Sequence, residues 1–312
     1  MVKIGSDPLG GPNTNIPAKQ QHWVEFANTL KLRFLVHQSQ VAGFNPAAEI
    51  TKITGTGGVL NILREGESVW AQPGFVNEQD KQSFFYQNYG FTPTGADANT
   101  STRANNYIVN ILKGNNDARL LRFFAPTSGG TVVGTTFGAA TGNPGGSSSS
   151  KFGPGIMESA TQDAWIFPSF ESLFLEAEAM ARGWVTGNAQ TAYENAVRES
   201  FAWLKTPDAA VEAADYLTNP SANWAANADK IKLIVFQKYI ALTGIDPIEA
   251  WVDVRRIPGV LPAGYITVNP GRISNVLPSR LLYPQTEYTT NAENANAQGT
   301  INLFSSKLFW QP

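Results

Sequence analysis

The chain has 312 residues, a formal net charge of -2 and only 15% charged residues. That length suits one large or two ordinary domains, and the lack of a basic field argues against nucleic acid as a partner. There is no cysteine, which excludes disulfide scaffolds, thiolate metal sites and cysteine nucleophiles. No run of roughly 18 apolar residues occurs, so no transmembrane helix is expected. The content of Asn, Gly, Thr and aromatic residues suits a neutral polyol ligand. Amides and hydroxyls can bond to sugar hydroxyls, and ring faces can lie on apolar sugar faces.

Residues 1–19 are rich in Gly, Pro and Asn and read as a loop. A helix is expected from His22 to Gln40. Trp23, Phe26, Ala27, Leu30, Phe34 and Val41 recur on one side, and Leu32, Leu35 and Val36 widen the apolar face, so burial against two neighbours is expected. Gly43 and Pro46 end it. A short helix over Pro46 to Thr54 follows. The Gly55-Thr56-Gly57-Gly58 turn lacks the strand-then-helix setting of a dinucleotide fingerprint.

Residues 66–100 carry Trp70, Phe75, Phe84, Phe85, Tyr86, Tyr89 and Phe91 with no helical period. Such a set forms either a satellite core or a binding rim, and Trp70, Tyr86 and Tyr89 are the rings expected on a rim. Thr100 to Lys113 reads as a helix. After it, Asp117 is expected to cap a short segment in which Arg119 pairs with a carboxylate. Residues 126–156 form a Gly/Ser-rich loop. Gly145 to Ser150 reads as disordered and Val132-Val133 as a short strand.

The stretch from Trp165 to Lys205 reads as two helices joined at Arg182-Gly183 and Thr186-Gly187-Asn188, with Asn188 capping the second. Phe170, Leu173, Phe174, Ala177, Ala181 and Trp184 stripe the first helix. Small alanines in the second allow close backbone approach, as in an antiparallel pair within a larger helical assembly. Glu176 and Glu178 point to different faces. Glu171 and Glu178 share one, as solvated helix glutamates commonly do.

Beyond the pair, Thr206-Pro207 reads as a cap with proline at the first helical position, and Asn219-Pro220 as an interruption. Trp224 is either a hydrophobic anchor or an exposed stacking residue. Asp229 to Leu242 has strong helical spacing. Asp246-Pro247-Ile248-Glu249 is an acidic version of the capping box and opens a helix ending at Arg256. Trp251 and Arg255 can stack there, and Arg255 and Arg256 are expected to tie the helix to neighbouring carboxylates. In the tail, Asn291 to Ala297 reads as a short helix, and apolar Ile301 to Trp310 as a segment returning to cover a face.

No catalytic constellation emerges. His22 and His37 lie on one helix without a shared face, so neither a short-spaced zinc motif nor a Ser-His-Asp arrangement is supported. Asp and Asn side chains could build a calcium site, but no calcium-loop pattern is present. No cofactor is expected.

Four ordered blocks resemble the SusD/RagB family of outer-membrane nutrient-binding lipoproteins of Bacteroidetes. The first is Trp23-Val24-Glu25-Phe26-Ala27-Asn28 through Arg33. The second is Asn116-Asp117-Ala118-Arg119. The third is the helical hairpin with Glu176-Ala177-Glu178-Ala179, Arg182-Gly183 and Asn195 to Arg198. The last runs from Phe236-Gln237-Lys238 to Glu249-Ala250-Trp251 and Arg255-Arg256. Ile257-Pro258-Gly259 departs from the Thr-Gly-Tyr-Pro favoured in one subgroup, which puts the local loop geometry in doubt.

The resemblance implies a mainly α, TPR-like helical assembly with long irregular loops and few short strands. It implies one SusD-like domain over residues 1–312, corresponding to the C-terminal portion of a longer fold. Trp23, Asn28, Arg33, Asp117, Arg119, Glu176, Glu178, Arg182, Trp251, Arg255 and Arg256 would be its structural signature. It also implies a non-catalytic cell-surface protein that captures an oligosaccharide or polysaccharide for a SusC-like TonB-dependent transporter. Membrane association would come from a lipid anchor for which this chain shows no residue. The ligand-facing rings would be Trp70, Tyr86, Tyr89 and Trp224. An interaction module, a peptide binder and a glycoside hydrolase are the alternatives.

Overall fold

The computed structural model describes residues 2–4 and 16–312. In chain order the elements are β1 (Val2–Ile4), α1 (Ile16–His37), α2 (Ala47–Lys52), β2 (Val69–Ala71), α3 (Phe84–Tyr89), α4 (Asn106–Gly114), α5 (Leu120–Phe123), β3 (Ala164–Phe167), α6 (Ser169–Ala181), α7 (Ala189–Trp203), α8 (Ala209–Tyr216), α9 (Lys230–Ala241), α10 (Pro247–Arg256), α11 (Gln285–Thr290) and α12 (Ala292–Ala297). Among the described residues the fold is mainly α with one small sheet, as the family resemblance implies. The loop expected over residues 1–19 is a strand at Val2–Ile4 and helix from Ile16, and the rest of that stretch lies outside the described residues.

Helix α6 is the centre. Every residue from Ser169 to Ala179 is buried, because α6 serves two cores at once. Phe170, Leu173, Phe174 and Ala177 face the larger one with α7 and α9. Leu175 and Ala179 face a second one with Leu32, Leu35 and Val36 of α1. A single stripe is therefore the wrong description of α6. A helix enclosed on all sides needs apolar residues or partnered polar ones all round. Fully burying each of its phenylalanines contributes roughly 1.5–3 kcal/mol. The pairing of α6 with α7 is the expected antiparallel hairpin, with Asn188 accepting from Thr191 N at 3.1 Å as the cap. The expected helix start at Trp165 is too early. Ala164–Phe167 is extended and pairs with β2.

Helix α1 packs against both α6 and α10, as its broad apolar face requires. The buried line is Thr29, Leu32, Leu35 and Val36, while Trp23 and Phe34 are 42% and 62% exposed. The stripe containing Trp23 and Phe34 is thus not the core face. Asp246 accepts from Glu249 N at 3.0 Å with Pro247 in the first turn, as expected. The Glu249 carboxylate does not close the capping box. It turns to Lys238 and His37 instead. Helix α8 begins after Asp208 rather than Thr206. Asp208 adopts φ 49°, a left-handed backbone that Asp tolerates better than β-branched Thr.

The Gly/Ser-rich segment 126–156 crosses the α4 and α5 end of the molecule with little regular structure. Its Gly145–Ser150 portion is not solvent-exposed throughout. Ser149 and Ser150 are buried, Ala104 N donates to Ser150 O at 2.8 Å and Ser150 N to Val133 O at 2.8 Å. The sequence bias to glycine hides these backbone bonds. Val132-Val133 makes no named strand.

Candidate functional site

The three-stranded sheet, in order β1-β2-β3, sits at the N-terminal end of α6. Strand β1 runs parallel to β2, and β2 antiparallel to β3. Trp70 pairs with Trp165, Ala71 with Ala164 and Val69 with Phe167. The register slips between Val69 and Trp70, so Ile166 has no partner and stays 44% exposed. Such a bulge kinks a strand and redirects its side chains. Here it adjoins two tryptophans.

Trp203, at the end of α7, completes a cluster. Its ring lies parallel to Trp70, 5.6 Å between centroids and 7° between planes. Trp165 meets Trp203 edge-on at 6.0 Å. The indole N–H of Trp203 donates to Ser68 Oγ at 3.1 Å, and that of Trp165 to Ile245 O at 3.2 Å. Both polar handles are thus taken up by the protein. The three rings wall a cleft of about 170 Å³ whose other lining includes Glu158, Gln162, Asp163 and Lys205. Lys205 donates to Glu158. The Gln162 amide is oriented by Ile156 O at 2.9 Å and by Glu158 N at 2.7 Å.

Of the expected ligand-facing rings, only Trp70 lines this cleft. Tyr89 packs on Phe85 and Phe152, at 5.0 and 5.4 Å, and Phe85 reaches Trp165 at 4.9 Å. Phe85 and Phe152 therefore pack with Trp165 against the larger core, while Phe84 and Phe91 of the same stretch stay exposed. Tyr86 lies beside Phe91 at 6.3 Å. Trp224 is not part of the cleft lining; it is half-buried against Tyr193 at 5.5 Å with Lys230 Nζ 5.0 Å from its ring centroid. That is the anchor geometry. Trp165 and Trp203 lie inside the stretch that reads as a hairpin, and helical spacing alone does not mark them as binding rings. A tryptophan at each edge of that stretch, on either side of the helix interiors, was the available signal.

The remaining residues of the expected signature lie outside the cleft lining. Asn28 donates to Asn61 O at 2.8 Å. Arg119, fully buried, grips Asp117 through Nε (3.0 Å) and Nη2 (2.6 Å), donates to Ser200 Oγ at 2.8 Å and lies over the Phe201 and Tyr216 rings. Its carboxylate partner is thus the neighbouring Asp117. Glu176 accepts twice from Arg64 Nη1 at 2.8 Å. Trp23 is half-exposed.

Glu171 and Glu178 are not solvated. Arg33 Nε donates to Glu171 at 2.8 Å and its guanidinium lies 4.4 Å from the Phe167 ring centroid. Lys238 reaches Glu249 at 2.9 Å and Asp253 at 3.0 Å. Arg256 bridges Glu178 at 2.8 Å and Asp253 at 2.6 Å, and Arg182 Nε holds Glu178 at 2.8 Å. Burial pushes Glu171 up to about 7, against the pull of Arg33 and Lys238 and with the help of Glu249. Burial also opposes ionisation of Glu178, but Arg256 and Arg182 outweigh it and hold that carboxyl below its usual range. Arg255 departs from the expected carboxylate pairing. It lies 3.5 Å from the Trp251 ring centroid and donates to Ser279 O at 2.8 Å, and burial lowers it to about 10.

The sequence profile described as "Starch-binding associating with outer membrane", of the SusD-like type, matches residues 18–284. No curated protein matches the chain. Among solved structures, a SusD homologue of Bacteroides fragilis matches with TM-score 0.66 and 21% identity over 93% of this chain and 68% of its own. A SusD-like protein of Bacteroides thetaiotaomicron matches with TM-score 0.67 and 26% identity over 94% of this chain and 64% of its own. A chitin-binding SusD homologue of Flavobacterium johnsoniae matches with TM-score 0.68 and 22% identity over 94% of this chain and 64% of its own. The chain spans about two thirds of the length of these solved proteins. The profile match and the shared fold together place the chain in the SusD-like family, described as starch-binding and associating with the outer membrane.

Proposed function

We propose that the chain captures a neutral glycan in the Trp70–Trp165–Trp203 cleft and acts at the cell surface as the binding partner of a TonB-dependent transporter, without chemistry of its own. The observation that carries this reading is the tryptophan wall itself. Its indole N–H groups at Trp165 and Trp203 are committed to Ile245 and Ser68, so what these two rings have left to offer is apolar surface. The carboxylates of Glu158 and Asp163 stand beside them to bond sugar hydroxyls. A sugar ring offers the same pairing of an apolar face with hydroxyl edges. The family description favours an α-glucan, and the chitin-binding homologue makes β-linked chitooligosaccharides the second class to try.

The test is isothermal titration with maltooligosaccharides and chitooligosaccharides, followed by chromatography of the same mixtures after long incubation. Saturable binding that is lost in Trp70→Ala, with the glycan intact, is the expected result. Cleaved glycan would instead assign Glu158 and Asp163 a hydrolytic role. Absence of heat with every glycan would leave the interaction-module reading.

A further inference from the structure

Near the start of α1, three metal-ligating side chains meet that no part of the glycan site uses. His22 Nδ1 lies 2.9 Å from Glu25 Oε2 and 3.8 Å from Glu67 Oε1, and the three donor groups lie within 4.8 Å of one another. Tetrahedral zinc with bonds of about 2.0 Å separates its ligand atoms by about 3.3 Å. The two histidine–carboxylate distances straddle that value, and side-chain rotation would bring the third pair, within 4.8 Å, to it.

The outer contacts favour the same reading. Each carboxylate has one oxygen fixed by the protein and the other turned to the histidine. Gln21 Nε2 donates to Glu25 Oε1 at 2.8 Å and is itself tied to Asn61 Oδ1 at 2.6 Å. The backbone N–H of Arg64 donates to Glu67 Oε2 at 2.7 Å. Orientation of ligating carboxylates by such outer hydrogen bonds is usual in metal sites. The side chains of His22, Glu25 and Glu67 are 31%, 15% and 27% exposed, so an ion can enter and water can take a fourth position.

We propose that His22, Glu25 and Glu67 bind a divalent transition-metal ion, zinc being the best fit, that fastens the Arg64–Glu67 turn to α1. One imidazole nitrogen with two carboxylate oxygens suits zinc, cobalt or nickel better than calcium or magnesium, which prefer all-oxygen shells. The turn is closed by Glu67 N to Arg64 O at 3.0 Å, with Gly66 at φ 75°. Glu67 is followed by Ser68, which holds the Trp203 indole, and then by β2 with Trp70. The ion would thus set the strand that carries one wall of the cleft.

The test is titration of the chelator-stripped full chain with Zn²⁺, with Ca²⁺ as the contrasting probe, and circular dichroism to confirm folding. Binding of one Zn²⁺ per chain is expected, weakened at least tenfold in both His22→Gln and Glu67→Gln, with Ca²⁺ much weaker. Glu67→Gln leaves α1 untouched and keeps the test open if His22→Gln fails to fold. No saturable Zn²⁺ binding, affinity unchanged in either folded variant, or a preference for Ca²⁺ would each overturn the proposal.

Discussion

The interior around α6 and the tryptophan cleft at its N-terminal end invert the usual division of labour. In the interior, four elements meet through charge: Arg33 of α1, Glu171 and Glu178 of α6, Lys238 of α9, and Glu249, Asp253 and Arg256 of α10. At the cleft, three tryptophan rings share the lining with the more open Glu158, Asp163 and Lys205. Buried charge therefore marks the scaffold, and clustered tryptophan rings mark the candidate site. Buried ion pairs are specific in geometry but weak as net stabilisers, because desolvation offsets much of their attraction. They fix which helix faces which. The proposed glycan contact would need less exactness, since stacking on an aromatic face is less directional than a buried ion pair.

The strongest way to break this comparison is Arg256→Met. It leaves Glu178 and Asp253 buried with Arg256 gone, and breaking a buried pair in this way costs about 3–5 kcal/mol. Urea unfolding of the variant should show that loss. Any glycan affinity should persist in whatever fraction remains folded. A variant that stays fully stable would remove Arg256 from the scaffold.

The second prediction concerns pH. Glu171, pushed up to about 7, keeps a proton in the folded protein that it gives up in the unfolded chain above its ordinary value near 4.5. Between those values the folded state binds more protons, so this group's contribution falls as pH rises from about 4.5 to 7. Glu178, held low by Arg256 and Arg182, acts in the opposite sense: its contribution is present above 4.5 and is lost as pH falls below it. Glu171→Gln should therefore flatten the unfolding midpoint between pH 5 and 7 while leaving the acid limb in place. An unchanged profile would show that Glu171 is ionised throughout.

Much of the scaffold was legible because helix signals are local. The Asp246-Pro247 cap and the Asn188 cap follow from adjacent residues and stand where expected. Burial was less legible. Phe34 is exposed and Glu171 buried, because neither hydrophobicity nor charge reports the partner that an enclosed position will find. The ring stack of Trp70 on Trp203 was not legible at all, since it depends on a bulged strand pair and a helix end far apart in sequence. The same is true of Glu67 beside His22. Only Glu25 was within local reach of that histidine, one helical turn away.

At the cleft the expected effect is smaller than in the interior. Stacking one ring on a ligand face is worth roughly 1–3 kcal/mol when removed, to judge from base–aromatic stacking. Trp70→Ala should weaken glycan binding by about tenfold to a hundredfold, with urea unfolding run beside it to separate that loss from the stability lost with its stack on Trp203. Trp224→Ala should leave affinity unchanged and cost stability instead, through its packing on Tyr193. Equal loss of affinity in both variants would mean that the ligand spans a surface larger than the cleft, and would return Trp224 to the site.

The smallest effect separates a local device from the network around it. Asp246 caps α10 through Glu249 N, and its carboxylate is 3.9 Å from Arg33. Loss of a capping side chain costs about 1 kcal/mol. The Arg33 contact is partly exposed and adds little. Asp246→Asn keeps a capping oxygen and removes the charge, while Asp246→Ala removes both. If the cap is the main role, urea unfolding should find the Asn variant close to the parent and the Ala variant about 1 kcal/mol weaker. If the Asn variant falls as far as the Ala variant, the charge matters more than the cap. The ionic interior would then extend through Arg33 to the entrance of α10, and the boundary between charged scaffold and its surroundings would lie one helical turn further out.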